Sequence, residues 1–214
     1  MNSRLILKQQ LLNTIKQIAE NRGINSEYPL TDNQINSSEI ATINQLTNDL
    51  ETLNPFPQPL IYATFLLDGI WQLNYSTARE IRSLNQLPLG FQVQRVYQTI
   101  DTQNISFFNI AFVKHQSGLL DGYVKVTASF SPKIDDNDLL PKNIINVNFD
   151  KRYLSIKKIA GLKIPFLDPF RIVSARNPQG RIPSLKITYL DESMRIGRGG
   201  DNSLFILSKA DKIQ

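Results

Sequence analysis

The sequence predicts a mainly β protein with a helical N-terminus: an antiparallel sheet, closed as a barrel or stacked as a sandwich, preceded by two amphipathic helices. Three observations carry this. Apolar residues recur at steps of three and four up to residue 53. After residue 68 they fall into short alternating runs separated by turn residues. Residues 188–207, TYLDESMRIGRGGDNSLFIL, read as strand, tight turn, strand, Gly-rich turn, strand.

In residues 4–22, Leu7, Leu11, Leu12, Ile15, Ile18 and Ala19 share one helical face, and Gly23 supplies the left-handed stop that commonly ends a helix. Thr31 and Gln34 stand at capping-box spacing, which predicts a second helix from that point. Ile40, Ile43, Leu46, Leu50 and Leu53 carry its apolar stripe to residue 53. Three prolines in Asn54–Pro59 end it, since proline lacks the N–H donor and clashes with the preceding turn.

Candidate strands then cover 69–76, 91–100, 104–114, 121–131, 143–149, 152–159, 169–176, 184–190, 194–197 and 203–208. Turn signals fall at 101–104, 116–118, 132–141 and 177–180. Many short strands at this spacing point to a barrel or sandwich. In the closing segment Leu185, Ile187 and Tyr189 are read on one side of a strand, followed by Met194 with Ile196 and Leu204 with Ile206. The expected organisation is a helical segment with a Pro-rich linker over 1–60 and a β domain over 61–214.

The 214 residues are enough for a substantial core, and the composition, 41% hydrophobic and 20% charged, is that of a globular protein. The net charge of +5 is uneven: residues 151–198 hold eleven basic and three acidic side chains. That segment reads either as the solvated face of strands or as a surface drawn to an anionic membrane. Nucleic acid is not expected as a partner, because no aromatic-rich basic motif accompanies the charge. No apolar run approaches the roughly 20 residues of a membrane span, and the N-terminus lacks the pattern of a signal peptide.

Several chemistries are excluded. With no cysteine there is no disulfide, thiolate nucleophile or thiolate metal site, and a single histidine, His115, rules out a multi-imidazole centre. Asp135-Asp136-Asn137-Asp138 lacks the glycine and distal glutamate of an EF-hand loop. No Gly-x-Ser-x-Gly elbow exists, and His115 sits in a turn context. Asp191 and Glu192 neighbour Arg195, which suits ion pairing more than general acid work. Gly197-Arg198-Gly199-Gly200 has neither the following helix nor the Lys-Ser/Thr of a phosphate loop. We therefore expect no catalytic residue, no metal and no cofactor.

Gly69-Ile70-Trp71 at the first strand, with an arginine on the last strands, resembles the lipocalin-type barrels. There a tryptophan plugs the closed end and a guanidinium stacks on it; Arg195 and Arg198 are both candidates. Leu67-Asp68-Gly69-x-Trp71-x-Leu73-x-Tyr75-Ser76-Thr77, the upstream Leu53-Asn54-Pro55-x-Pro57, and Tyr189-Leu190-Asp191-Glu192 with Arg195-Ile196, Arg198-Gly199 and Leu204-Phe205 resemble the motifs of the plastid-lipid-associated protein family, also called fibrillins or plastoglobulins. Ser76 stands where that family usually has threonine, and Gly200-Asp201-Asn202 leaves Asp191 and Asp201 both open as its C-terminal aspartate.

The resemblance implies a lipocalin-like barrel that binds small hydrophobic molecules without catalysis: carotenoids, quinones, tocopherols or acyl lipids, at thylakoids or lipid droplets of a cyanobacterium or plastid. It implies a structural signature of Gly69, Trp71, Tyr75, Asp191, Arg195, Arg198 and Asp201. Residues 151–198, with the Lys163–Phe170 loop, would give peripheral attachment. Phe107, Phe108, Phe112, Tyr123, Phe130 and Phe149 are the candidate lining of the barrel. Two alternatives are a chromophore lyase, which needs inward arginines around a tetrapyrrole, and a coat protein of lipid particles anchored by its first helix.

Overall fold

The computed structural model describes residues 3–84, 86–87, 90–135, 138–175 and 182–213. Helix α1 (Ser3–Asn21) buries Leu11, Ile15, Ile18 and Ala19, the stripe its spacing predicts. It stops at Gly23, where φ is +68° and the N–H bonds to the Glu20 carbonyl at 3.0 Å. The start of helix α2 (Ser37–Thr52) differs from the expectation. Gln34 does accept from the Thr31 N–H at 2.9 Å, but around a single 3₁₀ turn (Asp32–Gln34). The helix proper begins at a second capping box, in which Asn36 accepts from the Glu39 N–H at 2.9 Å and Glu39 from the Asn36 N–H at 2.8 Å. An asparagine cap with a glutamate in the first turn satisfies two orphan donors and suits the helix dipole.

Two short helices, α3 (Pro59–Tyr62) and α4 (Thr64–Leu67), lead into the sheet, and α5 (Arg79–Leu84) follows its first long strand. The strands are β1 (Leu30–Thr31), β2 (Gly69–Ser76), β3 (Phe91–Asp101), β4 (Ser106–His115), β5 (Leu120–Lys133), β6 (Ile144–Ile159), β7 (Leu162–Lys163), β8 (Arg171–Ser174), β9 (Ser184–Leu190), β10 (Met194–Gly199) and β11 (Leu204–Ala210). The order β2-β11-β10-β9-β6-β5-β4-β3 closes on itself through β2–β3 pairing, giving an eight-stranded antiparallel barrel. This is the lipocalin-like architecture the sequence predicts. Candidate strands 143–149 and 152–159 are one continuous strand, β6, because a bulge opposite Val126–Ala128 breaks the hydrophobic alternation without breaking the pairing. Strand 169–176 shortens to β8, and the predicted turn 177–180 lies outside the described residues.

Strand length shapes the molecule. Closure uses only Gly69↔Ile100 to Gln72↔Tyr97, whereas β3–β6 stay paired out to Phe91↔His115, Lys114↔Asp121 and Leu120↔Ile159. The four strands therefore project beyond the ring as a flared sheet, whose far edge carries β7 and β8.

Two apolar layers result. Trp71, Leu73, Ile100, Phe107, Ala128, Ile187, Leu190 and Leu207 belong to the barrel interior, which α4 caps with Leu67. Tyr75, Tyr189, Met194, Ile196, Leu204 and Ile206 face outward and are covered by α1 and α2. The expected alternation of Leu185, Ile187 and Tyr189 on one side is thus corrected. A register shift at Ile196/Gly197 pairs Tyr189 with Ile196 but Ile187 with Gly197, turning Tyr189 to the helices and Ile187 inward. A shift at Ile206/Leu207 does the same to Tyr75 and Leu73.

Candidate functional site

The floor of the barrel is built around Trp71, which is fully buried and donates its indole N–H to the Leu67 carbonyl at 2.8 Å. That bond ties the end of α4 to the first barrel strand. Gly69 precedes it with φ +102°, and a Cβ there would stand 3.2 Å from the Lys209 ammonium. Glycine is thus needed both for the backbone and for the space, a physical reason for the Gly-x-Trp motif.

Arg195 on β10 resolves the choice of arginine: its guanidinium carbon lies 5.2 Å from the Trp71 ring centroid. Arg198, three residues on, leaves the barrel and grips Glu51 of α2 at 2.9 Å, with Asn48 at 2.8 Å. A second cation escaped the sequence reading. Lys209 Nζ sits 4.4 Å from the same ring and donates to the backbone carbonyls of Leu66, at 3.1 Å, and Asp68. Its signal was position, two residues after the inward Leu207 on one strand. Arg195 also donates to Gln98, which donates to Asn109 at 2.8 Å. Burial lowers the Arg195 pKa to about 9. Burial, aided by the charge of Arg195, lowers that of Lys209.

Beside Arg195 the interior is nearly full. A cavity of about 30 Å³ remains, lined by Leu60, Leu67, Gln98, Ile100, Phe107, Phe130, Ile145, Val147, Leu185, Ile187 and Arg195. The space beyond is different in kind. Cross-strand register puts Val96, Ala111, Val124 and Leu154 in one row, and Val93, Val113, Gly122 and Ile156 in the next. Both rows lie on the sheet face that carries Phe107, Ala128 and Phe149 inside the barrel. Between these rows and the barrel core stands a more polar one, Gln98, Asn109, Val126 and exposed Arg152. Beyond it the inner face continues along the flared sheet, where Val113, Val124, Leu154 and Ile156 are only half buried.

The six predicted lining residues divide by this same register. Phe107 and Phe130 line the cavity, their rings 6.4 Å apart, and Phe149 packs against the inner core. Phe108, Phe112 and Tyr123 point the other way, because residues alternate across a regular β4–β5 pairing. Lys125 Nζ lies 4.1 Å from the Phe108 ring centre, Phe112 packs edge-on against Tyr97 and Tyr123, and the Tyr123 hydroxyl donates to Asp168. Of the signature residues, Tyr75 sits under the helices. Asp191 accepts from Lys8 at 2.7 Å, from the Tyr189 hydroxyl at 2.7 Å and from the N–H groups of Ser193 and Met194 at 2.9 and 2.8 Å. Burial pushes the Asp191 pKa up, but these bonds outweigh it and the net shift is downward. Asp201 orders the last turn by accepting from Ser203.

The far end of the flared sheet exposes Leu119, Leu162 and Phe166 with exposed Lys157, Lys158 and Lys163, and farther back its edge exposes Phe170, Arg171 and Ile172. A second apolar group, Tyr62, Phe65, Leu139 and Leu140, is exposed at the opposite pole without such a run of cations. His115 ends β4 and meets Ser117, at 2.7 Å, and Phe91. Among the described residues no three His, Asp or Glu side chains form a metal-binding group, and no helix is long and apolar enough to cross a membrane.

The PAP_fibrillin family profile matches residues 5–208. The chain is 29% identical over 200 residues to the chromoplast-specific carotenoid-associated protein of Cucumis sativus, across 79% of this chain and 60% of that protein. It is 27% identical over 236 residues to the chloroplastic light-induced protein of Solanum tuberosum, across 95% of this chain and 67% of the relative. To the probable plastid-lipid-associated protein 3 of Arabidopsis thaliana it is 30% identical over 209 residues, 79% of this chain and 51% of the relative. The chain thus spans between 51% and 67% of the length of these relatives.

Proposed function

Because the chain belongs to the PAP_fibrillin family over residues 5–208, we propose that it is a lipid-associated, non-enzymatic protein that docks on a membrane or lipid-droplet surface and holds small hydrophobic molecules there. One observation carries this reading. The inner face of the barrel continues, past a polar row that includes Gln98, Asn109 and Arg152, onto a flared sheet with half-buried apolar side chains, and that sheet ends in exposed apolar side chains set among cations. Apolar tips combined with basic groups are what peripheral attachment to an anionic surface requires. The ligand class that fits is an elongated isoprenoid or acyl lipid. A cavity of about 30 Å³ has no room for one, whereas the half-buried Val113, Val124, Leu154 and Ile156 spread over a wider face of the flared sheet.

The same features weigh against the other two readings. A tetrapyrrole lyase needs space and several inward arginines; among the described residues the cavity of about 30 Å³ is lined by one arginine, Arg195, and Arg152 stands exposed farther along the same face. A coat anchored by α1 needs that helix's apolar face free, yet Leu11, Ile15 and Ile18 are buried against the barrel and α2.

Flotation of the purified protein with phosphatidylcholine vesicles, with and without an anionic lipid, tests the docking half. The wild type should float with anionic vesicles, less so at high salt. A Leu162→Glu/Phe166→Glu variant should stay behind, and Phe65→Glu should float as the wild type does. No flotation of the wild type, or loss only in the Phe65 variant, would sink the reading. Solvent extraction of protein purified from photosynthetic cells tests the ligand half by whether pigment or quinone is retained.

A further inference from the structure

The barrel floor holds a buried guanidinium, Arg195, that no carboxylate balances among the described residues. Arg195 is 4% exposed and gives one bond to Gln98, and no carboxylate pairs with it among the described residues. Lys209, on the same indole, is bonded to backbone carbonyls. The Asp68 carboxylate, held by the N–H of Thr102 at 2.7 Å and by its hydroxyl, gives Lys209 a nearby counter-charge, and no such partner reaches Arg195. An aromatic face returns only part of what desolvating a guanidinium costs, and a buried charge without a counter-charge is strongly disfavoured. Arg195 also lines a cavity of about 30 Å³ that is otherwise mostly apolar. That is room for a water-sized group or a small ion.

We infer that this cavity is a small-anion site, taking one monovalent anionic group no larger than a halide or a carboxylate between Arg195 and the wall of Leu67, Ile100, Phe107 and Ile187. The guanidinium donors left over by Gln98 hold the anion, and the apolar wall excludes hydrated or polyvalent ions. The anion is either a free halide or the carboxylate head of a chain-like ligand whose tail leaves along the inner sheet face. The second source rests on the lipid reading; the first does not.

Trp71 is the single tryptophan of the chain and is fully buried, so its fluorescence reports on the site directly. The full chain is titrated with bromide, a heavy-atom quencher, replacing gluconate at constant ionic strength. We expect saturable quenching that chloride reverses, and a rise in Tm of about 3–6 °C at ten times the bromide Kd. Arg195→Met should abolish both effects. Should that variant not fold, anomalous scattering from bromide-soaked wild-type crystals must still show a peak beside Arg195. Dodecanoate and dodecanol then separate the sources. Dodecanoate that displaces bromide, and binds at least about tenfold tighter than dodecanol, identifies a lipid head group. Bromide that dodecanoate leaves in place identifies a free ion. The inference is overturned by unsaturable bromide quenching, no bromine peak and equal affinity for dodecanoate and dodecanol; tight dodecanol binding in that case would leave the lipid reading standing.

Discussion

Arg195 and Arg198 stand three residues apart on β10 and serve opposite faces of the barrel wall, one lying over Trp71 inside and the other clasping Glu51 of α2 outside. The register shift at Ile196/Gly197 lies between them. One strand thus fastens both the barrel floor and the helical layer, and the two attachments can be tested separately.

The Arg198–Glu51 pair is partly exposed, with bonds of 2.9 Å from both Nε and Nη2. A double-mutant cycle with Arg198→Ala and Glu51→Ala should give a coupling of about 0.5–1 kcal/mol in urea unfolding, shrinking in high salt. A coupling near zero would mean that this ion pair does not help to hold α2 on the barrel.

Trp71→Phe keeps an aromatic floor but removes the N–H that reaches the Leu67 carbonyl and leaves space beneath two cations. The urea midpoint should drop with an unchanged slope, corresponding to about 1–3 kcal/mol. Hydrogen exchange should speed up in α4 ahead of the rest of the barrel.

Gly69→Ala places a methyl group where φ is +102° and the Lys209 ammonium is 3.2 Å away. We expect a loss of about 1–3 kcal/mol. Adding Lys209→Ala should relieve the contact but not the backbone strain, so the double variant should recover only part of the loss. Full recovery would show that space, not φ, selects glycine here.

Asp191 supplies an acid-dependent share of stability. Its folded pKa lies below the ordinary carboxylate value, so the folded state binds its proton less readily than the unfolded chain does. The stabilisation is therefore complete above the ordinary value near 3.8 and is lost as pH falls through the lowered one. Asp191→Asn should cost about 1–3 kcal/mol at neutral pH. The gap from wild type should narrow in acid, as thermal melts between pH 7 and pH 3 would reveal.

The barrel was legible in the sequence because its signals are local. Strands β2 and β9 match their predicted limits, and the apolar stripes of α1 and α2 centre on the faces that they bury, except that Leu53 falls past the end of α2 and is exposed. What escaped depends on events that alternation cannot register. A bulge inverts which face the following residues occupy, so Tyr189 was expected alongside Ile187. Within β4 the pairing is regular, but sequence alone gives no phase when both faces are apolar. Phe107, Phe108 and Phe112 therefore looked equivalent until register set Phe107 inside and the other two outside. Lys209 was missed because its ammonium bonds to carbonyls and a ring, partners that no charge pattern announces.

Strand β6 has one further consequence. Its 16 residues run from the barrel wall, where Ile145 pairs with Leu185, to the tip, where Ile159 pairs with Leu162. At about 3.3 Å per residue that is roughly 50 Å of unbroken strand. It acts as a mast fixed to the hull: whatever grips the tip also sets the heading of the whole barrel. A surface seizing Leu162 and Phe166 would hold the Trp71 floor at arm's length, with the open inner face of the sheet as the ramp between them.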